Sequence, residues 1–373
     1  MKQAIALTLL VLSASCSSGT GPKAVLKANT QAPFPAPIVQ IQGDAAALGK
    51  AHGDALGPAI RQLHRAYFAR FFNSDAGKQL AMMLAGGFEP YIRPEHLAEI
   101  RALAKQSETS ESEILLANCF LDAVPMVACS TITLPAPASP DGVARFGRNL
   151  DFPSHGLAEK SSVVLIFHPV GKYAFASVTW PGMIGVLSGM NEHGLTLANM
   201  EVDRSMRRPS AMPYALLYRT VLEECRTVSQ AVALLEKTPR QTANNLMLMD
   251  ADGDRAVCEI TPQKVVVRRA AENAALISTN HHRGTDLDCA GRCSRFDSLH
   301  DAAQKNFGNI GVQEMRKMLA SVSQGEMSLQ SMILEPENRV MYLAAGPNAP
   351  TRPLVQLDLK PLFLRCQQRV GSR

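Results

Sequence analysis

After residue 128 the chain becomes a series of short β-rich runs. Six of them, at 130–134, 143–152, 162–169, 173–179, 185–190 and 195–202, are separated by Gly, Pro, Asn and Asp turns. The pattern upstream is helical. Over 43–73 apolar residues recur at three and four, with Gly43, Gly49, Gly53 and Gly57 between them. A second helical stretch runs from Glu95 to about Asp122; Pro94-Glu95-His96 suits its start, and Ser110-Glu111-Ser112-Glu113 suits the cap of a further helix at Ile114. Residues 40–128 are therefore expected to be mainly helical. Further on, helices are predicted over 214–225 and 228–237, where Thr227-Val228-Ser229-Gln230 forms a capping box. Strands follow at 245–249, 256–260, 265–268 and 275–278, then helices at 295–304 and 312–321, then strands at 331–334 and 339–344 before a tail. Runs of like elements predict an α+β fold with antiparallel sheets and helices on their outer faces.

Composition removes several classes. With 46% hydrophobic and 19% charged residues over 373 positions, the chain is not disordered. A formal charge of +5 is too small and too evenly spread for nucleic acid to be the expected partner. There is no HExxH, no P-loop and no Gly-rich dinucleotide fingerprint. Cys289-x3-Cys293 lacks the paired spacing of a zinc site. Asp250-Ala251-Asp252-Gly253-Asp254 has its glycine fourth, where a calcium loop needs it sixth, and is read as a hairpin turn. No cofactor and no metal are expected. The basic run Arg204-Ser205-Met206-Arg207-Arg208 is read as a solvated loop that could line an entrance.

The beginning of the chain is an address. Lys2 precedes an apolar run of nine residues, 4–12, too short to span a bilayer core of ~30 Å, so residues 1–15 read as a signal peptide. Leu12-Ser13-Ala14-Ser15-Cys16 resembles a bacterial lipoprotein signal, with Cys16 the lipidated first residue of the mature chain; Ser13 departs from the usual Leu. Ordinary secretion with cleavage near Ser15 is the alternative. Residues 16–37 have a tether's composition, and 38–373 form the folded domain. The expectation is an exported protein of the cell envelope, anchored to the membrane through Cys16.

Cys129 opens the first β run between small residues, a placement that suits an exposed nucleophile, although taken alone a cysteine there is more commonly a buried structural thiol. Arg148 and Asp151, three apart on one strand, point to opposite faces unless the strand bends. Joined with three segments further along the chain, however, they form a distinctive order. Cys129 is followed by Phe146-Gly147-Arg148-Asn149-Leu150-Asp151-Phe152, Gly189-Met190-Asn191-Glu192-His193-Gly194-Leu195, Ser278-Thr279-Asn280-His281-His282 and Ser294-Arg295-Phe296. This resembles the N-terminal-nucleophile (Ntn) hydrolases, in the branch of acyl-CoA:6-aminopenicillanate acyltransferases, bile-salt and penicillin V amidases and acid ceramidase. The glycine-punctuated helix and the helix around Glu99 resemble the acyltransferase pro-segment. The likeness runs from about Ile38 to the C-terminus.

The resemblance implies a four-layer αββα sandwich, two antiparallel sheets between helices, with a helical N-terminal pro-segment. It implies self-cleavage between Ala128 and Cys129, giving chains 16–128 and 129–373. Cys129 would then carry a thiol and a free α-amine, and an amine of pKa near ~7.7–8.0 suits as base for a thiol near ~8.5. By the same resemblance Asp151 would orient that amine and Arg148 would favour the thiolate. Asn191 and Asn280 would donate to the oxyanion, and Arg295 would pair with Asp151 or a neighbouring carboxylate. From the residues alone, Asn191 and Asn280 read as turn residues. The implied substrate is a small-molecule N-acyl amide or acyl-thioester. A non-catalytic surface lipoprotein using the same fold for binding is the competing class.

Overall fold

A computed structural model describes residues 34–364 apart from 73, 124–127, 203–208, 285–286 and 288–290. The predicted signal peptide, Cys16, most of the tether, the basic run at 204–208 and Cys289 lie outside the described residues. In chain order the elements are β1 (Ile38–Gly43), α1 (Ala45–Phe72), α2 (Asp75–Gly86), α3 (Pro94–Ser107) and α4 (Glu111–Ala123). Six strands follow: β2 (Ala128–Leu134), β3 (Arg145–Asp151), β4 (Val163–Pro169), β5 (Phe175–Thr179), β6 (Ser188–Asn191) and β7 (Thr196–Glu201). Helices α5 (Tyr214–Glu224) and α6 (Val228–Lys237) then lead into β8 (Asn244–Met249), β9 (Arg255–Ile260), β10 (Val265–Arg268) and β11 (Leu276–Ser278). After α7 (Ser294–Lys305) and α8 (Val312–Ser321) come β12 (Ser328–Glu335), β13 (Val340–Ala345), β14 (Val355–Asp358) and α9 (Lys360–Phe363).

The strands form an eight-stranded sheet, β1-β4-β5-β6-β7-β8-β9-β10, and a six-stranded sheet, β11-β2-β3-β12-β13-β14. Strands β2 to β9 are buried along nearly their whole length, as in sheets covered on both faces. The sheets meet where β2 packs on β7. Helices α5 and α6 cover the larger sheet, and α7 and α8 cover the smaller one. Under α7 and α8, Ile132, Ile277 and Ile333 pack with Leu299, Met315 and Leu319. This is the predicted α+β, αββα arrangement, with one correction. The N-terminal segment is not only helical: β1 joins the edge of the larger sheet and pairs in parallel with β4, Ile38 opposite Val164. All other strand pairs among the described residues are antiparallel.

The glycines of α1 have a steric purpose. A Cβ at Gly49 would lie 2.2 Å from the Glu99 carbonyl oxygen, and one at Gly53 would lie 2.6 Å from Gln106 Cβ. Spaced by four, they put one face of α1 against the backbone of α3. That helix pair is fixed to the sheet layer by buried charge. Arg219 of α5 donates to Glu99 of α3 at 2.7 Å and to Glu223 at 2.8 Å, with all three side chains 1–2% exposed. The Arg219 guanidinium lies 4.8 Å from the Phe167 ring, and Lys172 reaches Glu223 at 2.7 Å. Two predicted caps are also present: Thr227 accepts from Gln230 N, and the Ser110 hydroxyl accepts from Glu113 N. Residues 250–254 form the expected hairpin turn, with Gly253 at φ +84°.

Candidate functional site

Strands β2 and β3 lie side by side, so residues 19 and 22 apart in sequence become neighbours. Cys129 opposes Leu150, Ala128 opposes Asp151 and Thr131 opposes Arg148. Cys129 and Thr131 share a face of β2, and that face looks toward the larger sheet, since the Thr131 hydroxyl donates to the Met200 sulfur. Cys129, Arg148 and Asp151 are all fully buried. Arg148 is held by the larger sheet: Nε donates to the Ser188 hydroxyl at 2.8 Å and Nη1 to the Asn199 carbonyl at 2.6 Å. Its Nη2 is buried without a hydrogen-bond partner. On the other side, Asp151 Oδ1 accepts from the Ser328 hydroxyl, and Oδ2 is buried without a partner. Each of the two charges flanking Cys129 thus keeps one open atom.

Two further predicted residues close around the backbone of Cys129. The Cys129 N–H donates to Asn280 Oδ1 at 2.7 Å, across 151 residues of sequence. Arg295 Nη1 donates to the Cys129 carbonyl at 2.6 Å and the Ser130 hydroxyl at 3.0 Å, while its Nη2 reaches Asn280 Oδ1 at 3.1 Å. Two donors converging on one Asn280 atom fix that atom as oxygen, so Nδ2 is the end that donates to the Glu201 carbonyl, at 2.7 Å. Arg295 forms no direct ion pair with Asp151; its charge acts on that carboxyl through space.

Asn191 is placed differently from expectation. Its Nδ2 donates to the carbonyls of Leu222 and Cys225 at the C-terminal end of α5, and its Oδ1 accepts from the N–H groups of His193 and Leu195. Both amide protons are engaged in tying the β6–β7 turn to the helix end. No donor is left for an oxyanion, and the turn-residue reading of Asn191 matches this geometry.

The electrostatics set the resting state. Burial pushes the Cys129 thiol up; Arg148 pulls it back down, Asp151 raises it, and the Asp151 N–H and Arg295 lower it. The net is a raised, protonated thiol. Cys293 behaves oppositely. Burial raises it, but the Thr279 hydroxyl, the N–H groups of Phe296 and Arg295 and the Arg295 charge together bring it below the ordinary thiol value. A thiol reagent applied to the chain in this state is therefore expected to favour Cys293 over Cys129.

Burial pushes Asp151 up to about 6, against the Ser328 hydroxyl, Arg295 and Arg148, which pull it down. The unfolded value is near ~3.9, so between about pH 4 and pH 6 the folded chain holds the extra proton. Stability from this group is complete below about pH 4 and is lost as pH rises through the folded value, by roughly 3 kcal/mol. Asp151→Asn, compared with its parent in a background lacking the Cys129 thiol, is expected to gain about that much relative stability between pH 4 and pH 7. Urea titrations at the two pH values measure it; a constant difference would contradict the account.

Three residues at the site escape a linear reading. Ser188 and Ser328 hold the two charges, and Glu201 at the end of β7 brings its carbonyl to Asn280. The Glu201 carboxylate also lies close enough to raise Asp122 and Tyr214, both already raised by burial, and Tyr214 in turn feels Cys129. The serines carry no motif, and Glu201 reads as an ordinary strand-end acid.

A family model described as acyl-coenzyme A:6-aminopenicillanic acid acyl-transferase matches residues 138–347, more than half of the chain. The matched stretch begins after Cys129 and contains Arg148, Asp151, Asn191, Asn280 and Arg295. Among curated proteins, N-acylethanolamine-hydrolyzing acid amidase of Oryctolagus cuniculus is 28% identical over 189 residues, 48% of this chain and 51% of the relative. The Mus musculus protein of the same name is 26% identical over 159 residues, 40% of this chain and 42% of its own. The chain spans about half the length of the curated relatives it matches. Among solved structures, the Caenorhabditis elegans ortholog of that amidase has a TM-score of 0.45 at 16% identity, covering 56% of this chain and 93% of the other. A variant of conjugated bile acid hydrolase from Clostridium perfringens has a TM-score of 0.45 at 17% identity, covering 62% and 93%. The chain belongs to the acyl-coenzyme A:6-aminopenicillanic acid acyl-transferase family, as the order of its motifs led us to expect.

Proposed function

We propose that this protein is a self-processing cysteine amidohydrolase or acyltransferase whose nucleophile is Cys129. One observation carries the reading: the Cys129 nitrogen is held by Asn280 while Arg148 Nη2 and Asp151 Oδ2, both buried, stand open beside the same residue. Breaking the Ala128–Cys129 bond turns that nitrogen into an α-amine, which has protons to give Asp151 and a lone pair to take the thiol proton. A thiolate beside Arg148 then attacks the carbonyl carbon of an N-acyl amide. The tetrahedral intermediate collapses as the α-ammonium returns its proton to the leaving nitrogen, and the amine departs. The acyl group remains on Cys129 as a thioester. Water, or an acceptor amine in transfer, attacks the thioester carbonyl and loses a proton to the α-amine; the sulfur leaves and regains its proton. For the oxyanion, Asn280 Nδ2 is the side-chain donor this geometry favours, with the Glu201 carbonyl accepting one of its two protons.

The acyl group is read as apolar. A cavity of ≈ 80 Å³ is lined by Tyr67, Phe120, Phe152, Trp180, Met183 and Leu187 among others. Phe152 follows Asp151 and Leu187 precedes Ser188, so two of the lining residues are chain neighbours of residues at the charged site. The relatives named for N-acylethanolamines point to the same bond and to an N-acyl amide with a small amine part. Export and anchoring through a lipidated Cys16 belong to this proposal, resting on the apolar run at 4–12 and the small residues before Cys16. No helix among the described residues is long and apolar enough to cross a membrane.

Incubation with a panel of N-acyl amides of graded acyl length tests the proposal. Amine release, with an acyl mass on the fragment beginning at Cys129, is expected for at least one apolar acyl group. Amine release with the acyl mass on Cys293, or amine release undiminished in Cys129→Ala, would refute Cys129 as the nucleophile.

A further inference from the structure

Ser328 stands where the register of β12 slips. Ser328 opposes Asp151, but Gln330 opposes Leu150, so Leu329 is the extra residue of a β-bulge beside the site. Such a bulge re-aims the side chain next to it, and the Ser328 side chain is fully buried. Its hydroxyl oxygen accepts the Gln324 N–H at 2.8 Å and the Ser323 hydroxyl at 3.2 Å. Ser323 is itself oriented, because its oxygen accepts the Gly325 N–H at 3.2 Å. A serine hydroxyl offers one proton and two acceptor positions. Both acceptor positions of Ser328 are filled, so its single proton has one place to go, Asp151 Oδ1.

We propose that Ser328 is a positioning residue: it fixes Oδ1 of Asp151 as an acceptor, so that Oδ2 alone exchanges protons with the Cys129 amine. The inference rests on the reading of Cys129 as an N-terminal nucleophile. Any proton carried by Asp151 then sits on the oxygen that faces the reaction. The direction is imposed from the backbone of 323–328, through Gly325 N–H, Ser323, Gln324 N–H and Ser328 in turn. The charged and titratable groups around Asp151 are Arg148 on its own strand, Arg295 from α7 and the Cys129 thiol on β2. From β12 comes only this hydroxyl.

The test follows the Asp151 carboxyl by carbon NMR in selectively labelled protein, in a Cys129→Ala background where no reaction intervenes. Ser328→Ala removes the donor to Oδ1, and the Asp151 titration is expected to move up by about one pH unit or more. In the cut protein with Cys129 intact, the acid limb of the amine-release rate is expected to move by the same amount. Ser328→Thr, which keeps the hydroxyl, is expected to restore both. A merely structural serine would lower the melting temperature and leave the titration in place; an unmoved titration overturns the proposal. If the titration moves but the protein with Cys129 intact never cuts at Ala128–Cys129, the reading of Cys129 fails and the role in catalysis falls with it. The Ser328–Asp151 hydrogen bond then still stands, so the two failures are told apart.

Discussion

Cys129→Ala is expected to leave one uncut chain and to remove turnover, a loss on the order of 10⁶ in kcat. The size of the effect comes from two functions meeting in one residue. On the proposed reading the thiol is needed to break the bond that precedes it, and only after that break does the residue own the α-amine that would serve as its base. Alanine at 129 keeps the backbone N–H that donates to Asn280 and the carbonyl that accepts from Arg295, so the local scaffold is expected to remain. Cys129→Ser separates the steps, since a hydroxyl of higher pKa is a weaker nucleophile in the same place. Slow or partial cutting with little turnover is expected for it. Denaturing gels give chain state, and amine release gives turnover. Full activity in the Cys129→Ala chain would end the account.

The second large effect is on stability and lies away from the nucleophile. Arg219→Ala leaves Glu99 and Glu223 facing each other in a buried site with their shared cation gone, which costs about 3–5 kcal/mol. Burial raises Glu223, but Arg219, His96 and Lys172 outweigh it and hold the carboxyl well below the ordinary range. Its contribution is therefore present above about pH 4.5 and lost as pH falls through the depressed folded value. Without Arg219 the sign reverses, because the buried carboxyl then prefers its proton and stability falls as pH rises. The gap between wild type and variant is expected to be widest at neutral pH and to narrow toward pH 4.5. Urea titrations at both values check this. The cluster also joins α3, upstream of the proposed cut, to α5 downstream of it. After cutting no bond links them, and gel filtration of the cut variant is expected to show the smaller chain lost at neutral pH. A variant within 1 kcal/mol of wild type, as roughly expected of an exposed pair, would contradict the placement of these charges.

How far the sequence reaches can be seen in particular residues. Helices α1, α3, α5 and α8 and most strands follow from periodicity and caps, and the four-residue glycine spacing of α1 is explained by its contact with α3. The short β1 was hidden between prolines, Pro35 and Pro37, and the helices downstream of it; only its parallel partner, more than a hundred residues on, makes it a strand. Helix α2 was missed because Gly77 interrupts it and Leu80 and Met83 are exposed, which blurs the apolar stripe. At the site, Cys129, Arg148, Asp151, Asn280 and Arg295 were legible as an order of motifs, and the fold brings all five together. Asn191 belonged to the same order, yet its amide closes a helix end. No pattern in one sequence distinguishes an amide that caps from one that donates to substrate. Ser328 was invisible for a related reason, since a bulge is a property of two paired strands.

The central claim is that Cys129 becomes the first residue of a new chain, and intact mass spectrometry of the purified, denatured protein tests it most directly. The account predicts two species, the smaller ending at Ala128 and the larger beginning at Cys129, the latter with a free α-amine that N-terminal labelling detects. A single species running through Ala128–Cys129 in a preparation that turns over an N-acyl amide would contradict it.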